Sequence, residues 1–159
     1  MSEREWLPPE QWFAGLAKNI ASAGALFTDS SDRVLIVKPN YRDHWLMVGG
    51  LVEEDETPEL ACRREVREEI GVDRSPGRPL LVDWTSASVA RPLPLIEFIF
   101  DGGVLEPGQV RLDDEELDEY RFLPQDRAMD LLSGNGRRRL TAALEARRTG
   151  VTLYRSDGG

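Results

Sequence analysis

The chain has 159 residues, 40% hydrophobic and 31% charged, the length and balance of one globular domain with its own core. With 29 acidic and 20 basic residues its formal net charge is −9, which argues against binding along a nucleic-acid backbone or on an anionic membrane, and implies that metal cations would mediate any contact with phosphates. No apolar run reaches the roughly 18 residues of a membrane span, no signal pattern opens the chain, and the single cysteine, Cys62, makes a reducing cytoplasm the expected setting.

Residues 1–7 read as a loose start. Pro8-Pro9-Glu10 opens a short helix with Trp12, Phe13, Leu16 and Ala17 at helical spacing. Residues 1–20 are thus expected to be an N-terminal segment of the same domain. Gly24–Phe27 and Val34–Val37 read as strands of a hairpin, joined by the turn-forming Thr28-Asp29-Ser30-Ser31-Asp32. A polar loop from Pro39 to His44 leads to a strand Trp45–Val48 that runs into Gly49-Gly50.

Thr57 to Ile70 carries the strongest helix signal. Thr57 is a good N-cap, Pro58 suits the first helical position, Glu56 and Glu59 complement the dipole, and Gly71 is a natural stop. Leu80–Trp84 and Leu93–Phe100 read as strands, and Asp101-Gly102-Gly103 as a turn. Glu106 to Glu119 is expected to be a long acidic loop ahead of a strand Tyr120–Leu123. Asp126–Leu132 and Arg137–Arg148 read as helices split by Ser133-Gly134-Asn135-Gly136, followed by a short strand Val151–Tyr154 and a frayed tail from Ser156.

The stretch Gly50 to Val72 carries the chemistry. On a helix Glu65, Glu68 and Glu69 stand at i, i+3 and i+4 and share one face, where three carboxylates repel one another unless a cation lies among them. Oxygen-only donors suit Mg²⁺ or Mn²⁺, and no cysteine or histidine is placed for a zinc site. Cys62, Val66 and Ile70 form an apolar stripe on the adjacent face that can pin the helix to a sheet. Gly49-Gly50 lets the backbone turn and approach a ligand, and a carbonyl there can join a metal shell. Arg64 lies four residues before Glu68 and eight after Glu56, within reach of both.

At Gly50, Glu56, Arg64, Glu65, Val66, Glu68, Glu69, Gly71 and Val72 the segment resembles the Nudix box at every defining position. One departure is Val48-Gly49-Gly50 where many members carry Pro-Gly-Gly. The resemblance implies an α/β fold, the Nudix-type α/β/α sandwich with a mixed central sheet, expected over residues 21–155. It also implies metal-dependent hydrolysis of a pyrophosphate bond in a nucleoside diphosphate linked to another group. By resemblance, Glu65 and Glu69 are metal ligands, Glu68 is a third ligand or the base that orients water, and the Gly49 carbonyl is a further ligand. Glu56 then positions the loop, and Arg64 orients the glutamates.

Family members often recruit another glutamate from a loop beyond the box. Asp113-Asp114-Glu115-Glu116 is the source here, with Glu116 preferred as nearest the strand, and the loop is expected to be mobile without ligand. Glu97 alternates within an apolar strand and faces either solvent or the cleft. Arg42 and Arg91 lie in loops expected to border the cleft and are candidates for holding substrate; Trp45 and Tyr41 are candidates for stacking, with core packing the preferred role for Trp45. Arg137-Arg138-Arg139 resembles a phosphate patch but, on a terminal helix, reads as a solvated face, and His44 reads as a surface residue. The expected partner is a small phosphorylated molecule, probed against the alternatives of a catalytically idle Nudix-fold module or a non-nucleotide pyrophosphate. Dimers are frequent in the family, and Trp6–Phe13 is the segment placed to form one.

Overall fold

A computed structural model describes residues 6–157. The expected loose start at 1–7 falls mostly outside them, as does the end of the tail at 158–159. The elements run α1 (Pro9–Ala14), β1 (Ile20–Thr28), β2 (Val34–Pro39), β3 (Val48–Leu51), α2 (Pro58–Ile70), β4 (Pro79–Thr85), β5 (Leu95–Val104), β6 (Leu117–Leu123), α3 (Gln125–Leu131), α4 (Gly134–Thr149) and β7 (Leu153–Ser156).

The strands form one mixed sheet in the order β6-β2-β1-β5-β4-β7, with β3 also paired to β1. β1 runs parallel to β5, and β4 parallel to β7; the other pairings are antiparallel. Alternation divides the core into two layers. Ala23, Ala25, Phe27, Leu35 and Val37 pack with Ala61, Cys62, Val66 and Ile70 of α2. Leu26, Val34, Ile36, Leu81 and Ile99 pack with Ala128 of α3 and Leu140, Ala142, Ala143 and Ala146 of α4. This is the Nudix-type α/β/α sandwich expected from the sequence. No helix among the described residues is long and apolar enough to cross a membrane.

Several details depart from the sequence reading. β1 and β2 pair only at Thr28↔Val34, since β3 takes the next stretch of β1, from Ala25 back to Ser22. The turn is closed by buried Asp29, whose Oδ1 accepts from the backbone N–H groups of Ser31 and Arg33, each at 2.9 Å. Trp45 and Leu46 make only isolated bridges, to Leu132 and Val37, so the third strand starts at Val48. Asp101-Gly102-Gly103 is no turn. β5 continues through it, and the register with β1 slips between Leu26 and Phe27, where the Phe27 ring leaves no room for a Cβ at Gly102. The glycines between the last two helices do not separate them by a loop: Ser133 caps α4, its Oγ accepting from Gly136 N at 3.2 Å, and Gly134 to Gly136 form the first turn.

The acidic stretch is tied down rather than loose. Arg111 N donates to the Ile70 carbonyl at 2.9 Å, Asp113 N to the Glu69 carbonyl at 3.0 Å, and Asn40 N to the Glu116 carbonyl at 3.0 Å. Its end is already the sheet edge, because β6 begins at Leu117.

Candidate active site

Local chemistry sets α2. Thr57 Oγ1 accepts from Leu60 N at 3.3 Å, a cap of a kind that stabilises a helix by about 1 kcal/mol. Gly71 ends the helix in the left-handed conformation, φ 69°. Burial of Val66 and Ile70, each worth roughly 2 kcal/mol, docks the helix on the sheet. Cys62 shares this face; burial, then Glu59 and Glu65, push its thiol up to about 12, so it stays an inert core group. Docking by this stripe turns Glu65 and Glu69 toward β3.

The end of β3 is built for that approach. Gly49 has φ 148°, and a Cβ there would lie 2.5 Å from the Ala23 carbonyl oxygen across the β1 pairing. A Cβ on Gly50 would collide with the Glu65 carboxyl group. Two glycines in a row thus let β3 pair with β1 while two carboxylates lie against it. Gly49 N donates to Glu69 Oε2 at 2.8 Å.

Arg64 organises the remaining acids. Its Nε and Nη2 donate to the two oxygens of Glu56 at 2.8 and 3.0 Å, and Nη1 to Glu65 Oε1 at 2.7 Å and Glu68 Oε2 at 3.1 Å. Nη2 also donates to the Leu51 carbonyl at 2.9 Å, locking the loop before α2 to the helix. These bonds hold the guanidinium firmly protonated, and chiefly the Arg64 contact holds Glu56 below its ordinary value. Glu69 behaves oppositely. Burial, reinforced by Glu65, Glu116 and Glu68, lifts it to about 8 against the opposing Gly49 N–H. Burial also raises Glu65, with Arg64 opposing and Glu68 and Glu116 adding.

These groups open on a cleft of about 900 Å³ lined by Gly49, Gly50, Glu65, Glu69 and Glu116. Glu116 therefore stands with the box acids, while Glu115 is bound only through its backbone, its carbonyl accepting from Asn40 Nδ2 at 2.7 Å. Glu68 is half-exposed and turned to Arg64. Gly49 meets the acids through its N–H. Arg42, Tyr41 and His44 line the same cleft. Arg91 lines it too, but its guanidinium donates to the carbonyls of Leu93 and Ser86, both at 3.1 Å, stapling its own loop. Trp45 is not in the cleft wall: it is buried in the α3–α4 layer, with Arg121 stacked 4.9 Å from its ring centroid.

The structure decides two residues that the sequence left open or assigned to solvent. Arg139 is not on a solvated face; its side chain is 13% exposed and bridges Asp83 and Glu97 at 2.6 and 2.7 Å. Glu97 and Arg139 both line the cleft, with Ser22 and Asn135.

The donors around α2 suit a hard divalent ion. All are oxygens, and Glu65 and Glu69 are both destabilised as anions by burial and by neighbouring carboxylates, a strain that a cation would relieve. Among the described residues no three acid, histidine or cysteine side chains stand close enough to hold an ion by themselves. Water and substrate oxygens would complete the shell, as Mg²⁺ favours.

The family model for the NUDIX domain matches residues 18–144. The 8-oxo-dGDP phosphatase NUDT18 of Danio rerio is 35% identical over 127 residues, which cover 74% of this chain and 38% of that protein. The 8-oxo-dGTP diphosphatase of Proteus vulgaris is 37% identical over 60 residues, 35% of this chain and 54% of that protein. The chain thus spans 54% or less of the length of these two relatives. The MutT protein of Methanosarcina mazei Go1 shares the fold, with a TM-score of 0.67 at 23% identity over 84% of this chain and 96% of that one.

Proposed function

The chain belongs to the Nudix family, and on that premise we propose that it hydrolyses the pyrophosphate bond of a nucleoside diphosphate linked to another group, by attack of water on phosphorus. One observation carries the reading: Glu65 and Glu69 of the complete box lie with Glu116 and the Gly49-Gly50 backbone in one cleft. The guanine nucleotides named for the two relatives are the first substrates to try.

A Mg²⁺ or Mn²⁺ ion held by Glu65 and Glu69 would neutralise the diphosphate and activate water. The chain's own residues supply the rest. Gly49 N–H fixes one oxygen of Glu69 and so orients the carboxylate. Arg64 holds Glu65 at 2.7 Å and keeps Glu68 beside it. Glu116, on a backbone anchored by Asn40 and lining the cleft, would take the proton of attacking water. Arg42 lines the cleft as the cation to meet the substrate's phosphates.

A reducing, cytoplasmic setting suits the single buried thiol. The exposed Trp6, Trp12 and Phe13 are the surface for a homodimer, which sedimentation would detect. The decisive experiment is phosphate release from a nucleotide panel in Mg²⁺ and in chelator. Metal-dependent turnover of a nucleoside diphosphate derivative is expected; no turnover of any member would overturn the reading in favour of a binding module.

A further inference from the structure

The cleft has a second polar end, away from the box. Ser22, Glu97 and Asp83 are register partners across β1, β5 and β4, so their side chains lie in one row on the α4 face of the sheet. Arg139 closes the row from α4. Its Nε donates to Asp83 Oδ2 at 2.6 Å and its Nη2 to Thr85 Oγ1 at 3.2 Å, while Nη1 pairs with Glu97 Oε2 at 2.7 Å. All three guanidinium nitrogens are thereby engaged. The Ser22 hydroxyl is buried beside Glu97 with no hydrogen-bond partner in the structure. Burial raises Glu97, Arg139 opposes this, and Asp83 adds to it. Two acids around one arginine leave the row with one negative charge, and Glu97 carries no ion pair at its second oxygen among the described residues.

The surroundings of this carboxylate are apolar. Ile20 and Leu95, register partners two residues further along the same face, line the cleft with Leu46 and Met47. Gly24, which pairs with Gly49, lies two residues from Ser22, so the row stands roughly 7 Å along β1 from the point where Glu69 is anchored. Apolar walls that end in one fixed polar group suit a flat ring with a polar edge. An ionised carboxylate only accepts hydrogen bonds, and each nitrogen of the neighbouring arginine is already bound within the row. The edge that fits presents adjacent N–H donors. Guanine offers two, at the ring N1 and the exocyclic amine; hypoxanthine lacks the second; adenine opposes an acceptor to the carboxylate.

We infer that Glu97, held by Arg139, selects the base of the substrate and favours a guanine-type edge. The inference rests on the nucleotide reading above and names the substrate class for it. Glu97 is the contact group; Arg139 and Asp83 are positioning residues.

The test is calorimetric titration of the metal-free chain with the nucleoside monophosphates GMP, IMP, AMP and dGMP, which contain no pyrophosphate bond. Wild type should bind GMP about tenfold more tightly than IMP, the effect of one hydrogen bond to a charged group, and more tightly still than AMP. Glu97→Gln should weaken GMP by about tenfold, remove the preference over IMP, and keep a wild-type melting curve. Equal binding of the three bases by wild type overturns the inference, whether or not the variant folds. A preference that follows GMP over dGMP rather than the base also overturns it, since Glu97 would then read the ribose. Base-selective binding without hydrolysis of any guanine nucleotide would instead sink the hydrolase reading and leave the base selection standing. Under turnover, Glu97→Gln should raise KM for a guanine nucleotide and leave kcat within about twofold.

Discussion

Gly49 N–H donates to Glu69 Oε2 across 2.8 Å, joining β3 to a carboxylate in the last turn of α2. This bond fixes the orientation of the most buried acid in the cleft, and only a glycine at 49 allows the backbone to deliver it. The anion it holds is nevertheless unfavourable, because burial and three neighbouring glutamates outweigh one N–H donor. Glu69 is thus poised to gain from a bound cation.

Glu69→Gln should therefore keep the fold and lose turnover. An amide retains the size and can still accept from Gly49, but it loses the charge. Removal of a metal ligand costs several kcal/mol of transition-state stabilisation, so kcat should fall by at least about a hundredfold. Turnover within about twofold of wild type, measured at saturating Mg²⁺, would refute the assignment.

The same acid makes the metal-free protein pH-sensitive. Its folded value of about 8 lies above the ordinary 4.5, so the native state holds the extra proton between these limits. Native protonation exceeds unfolded protonation there, and stability falls as pH rises from about 4.5 to about 8. Thermal melts in chelator should show this decline, and Glu69→Gln should flatten it. Identical slopes in the two proteins would show that Glu69 titrates normally.

Metal should reverse that penalty. Mg²⁺ or Mn²⁺ bound to the native state alone raises Tm by mass action. Glu65→Gln, which removes a proposed ligand beside Gly50 while leaving Arg64 bound to Glu56, should show a smaller rise. An equal rise in both proteins would mean that the ion binds elsewhere.

Glu116 and its neighbour separate the catalytic loop from a merely acidic one. Glu116 lines the cleft and bears on Glu65 and Glu69; Glu115 contributes a backbone carbonyl to Asn40. Glu116→Ala should lower kcat by at least about tenfold, the low edge of a general-base contribution, with Glu115→Ala close to wild type. Near-normal kcat in both variants would leave the base to the box glutamates.

Much of this was legible in the residues alone because its physics is local. The cap at Thr57, the stop at Gly71 and the adjacent apolar and acidic faces of α2 follow from contacts three and four residues apart. The need for glycine at 49 and 50 is legible as a pattern, and the structure supplies its cause: the close approach of Gly24, Ala23 and Glu65. Where local signals competed with tertiary packing, packing won. Asp101-Gly102-Gly103 looks like a turn, but pairing with β1 and the hydrogen bond from Arg147 Nη2 to Asp101 at 2.7 Å carry the strand through it.

Trp45 illustrates the division. The sequence allows it a cleft position but favours core packing, and its bridge to Leu132 draws it under α3, where a large apolar ring gains most from burial. The row of Ser22, Glu97, Asp83 and Arg139 shows the same limit more sharply. Those residues lie 14 to 117 positions apart, and nothing in the spacing of any one of them shows that they meet. Their meeting depends on the register of β1, β5 and β4 and on the packing of α4 over them, both set by burial of the whole sheet. Spacing along one helix determined the acids of the box; only the pairing of distant strands decided what faces them across the cleft.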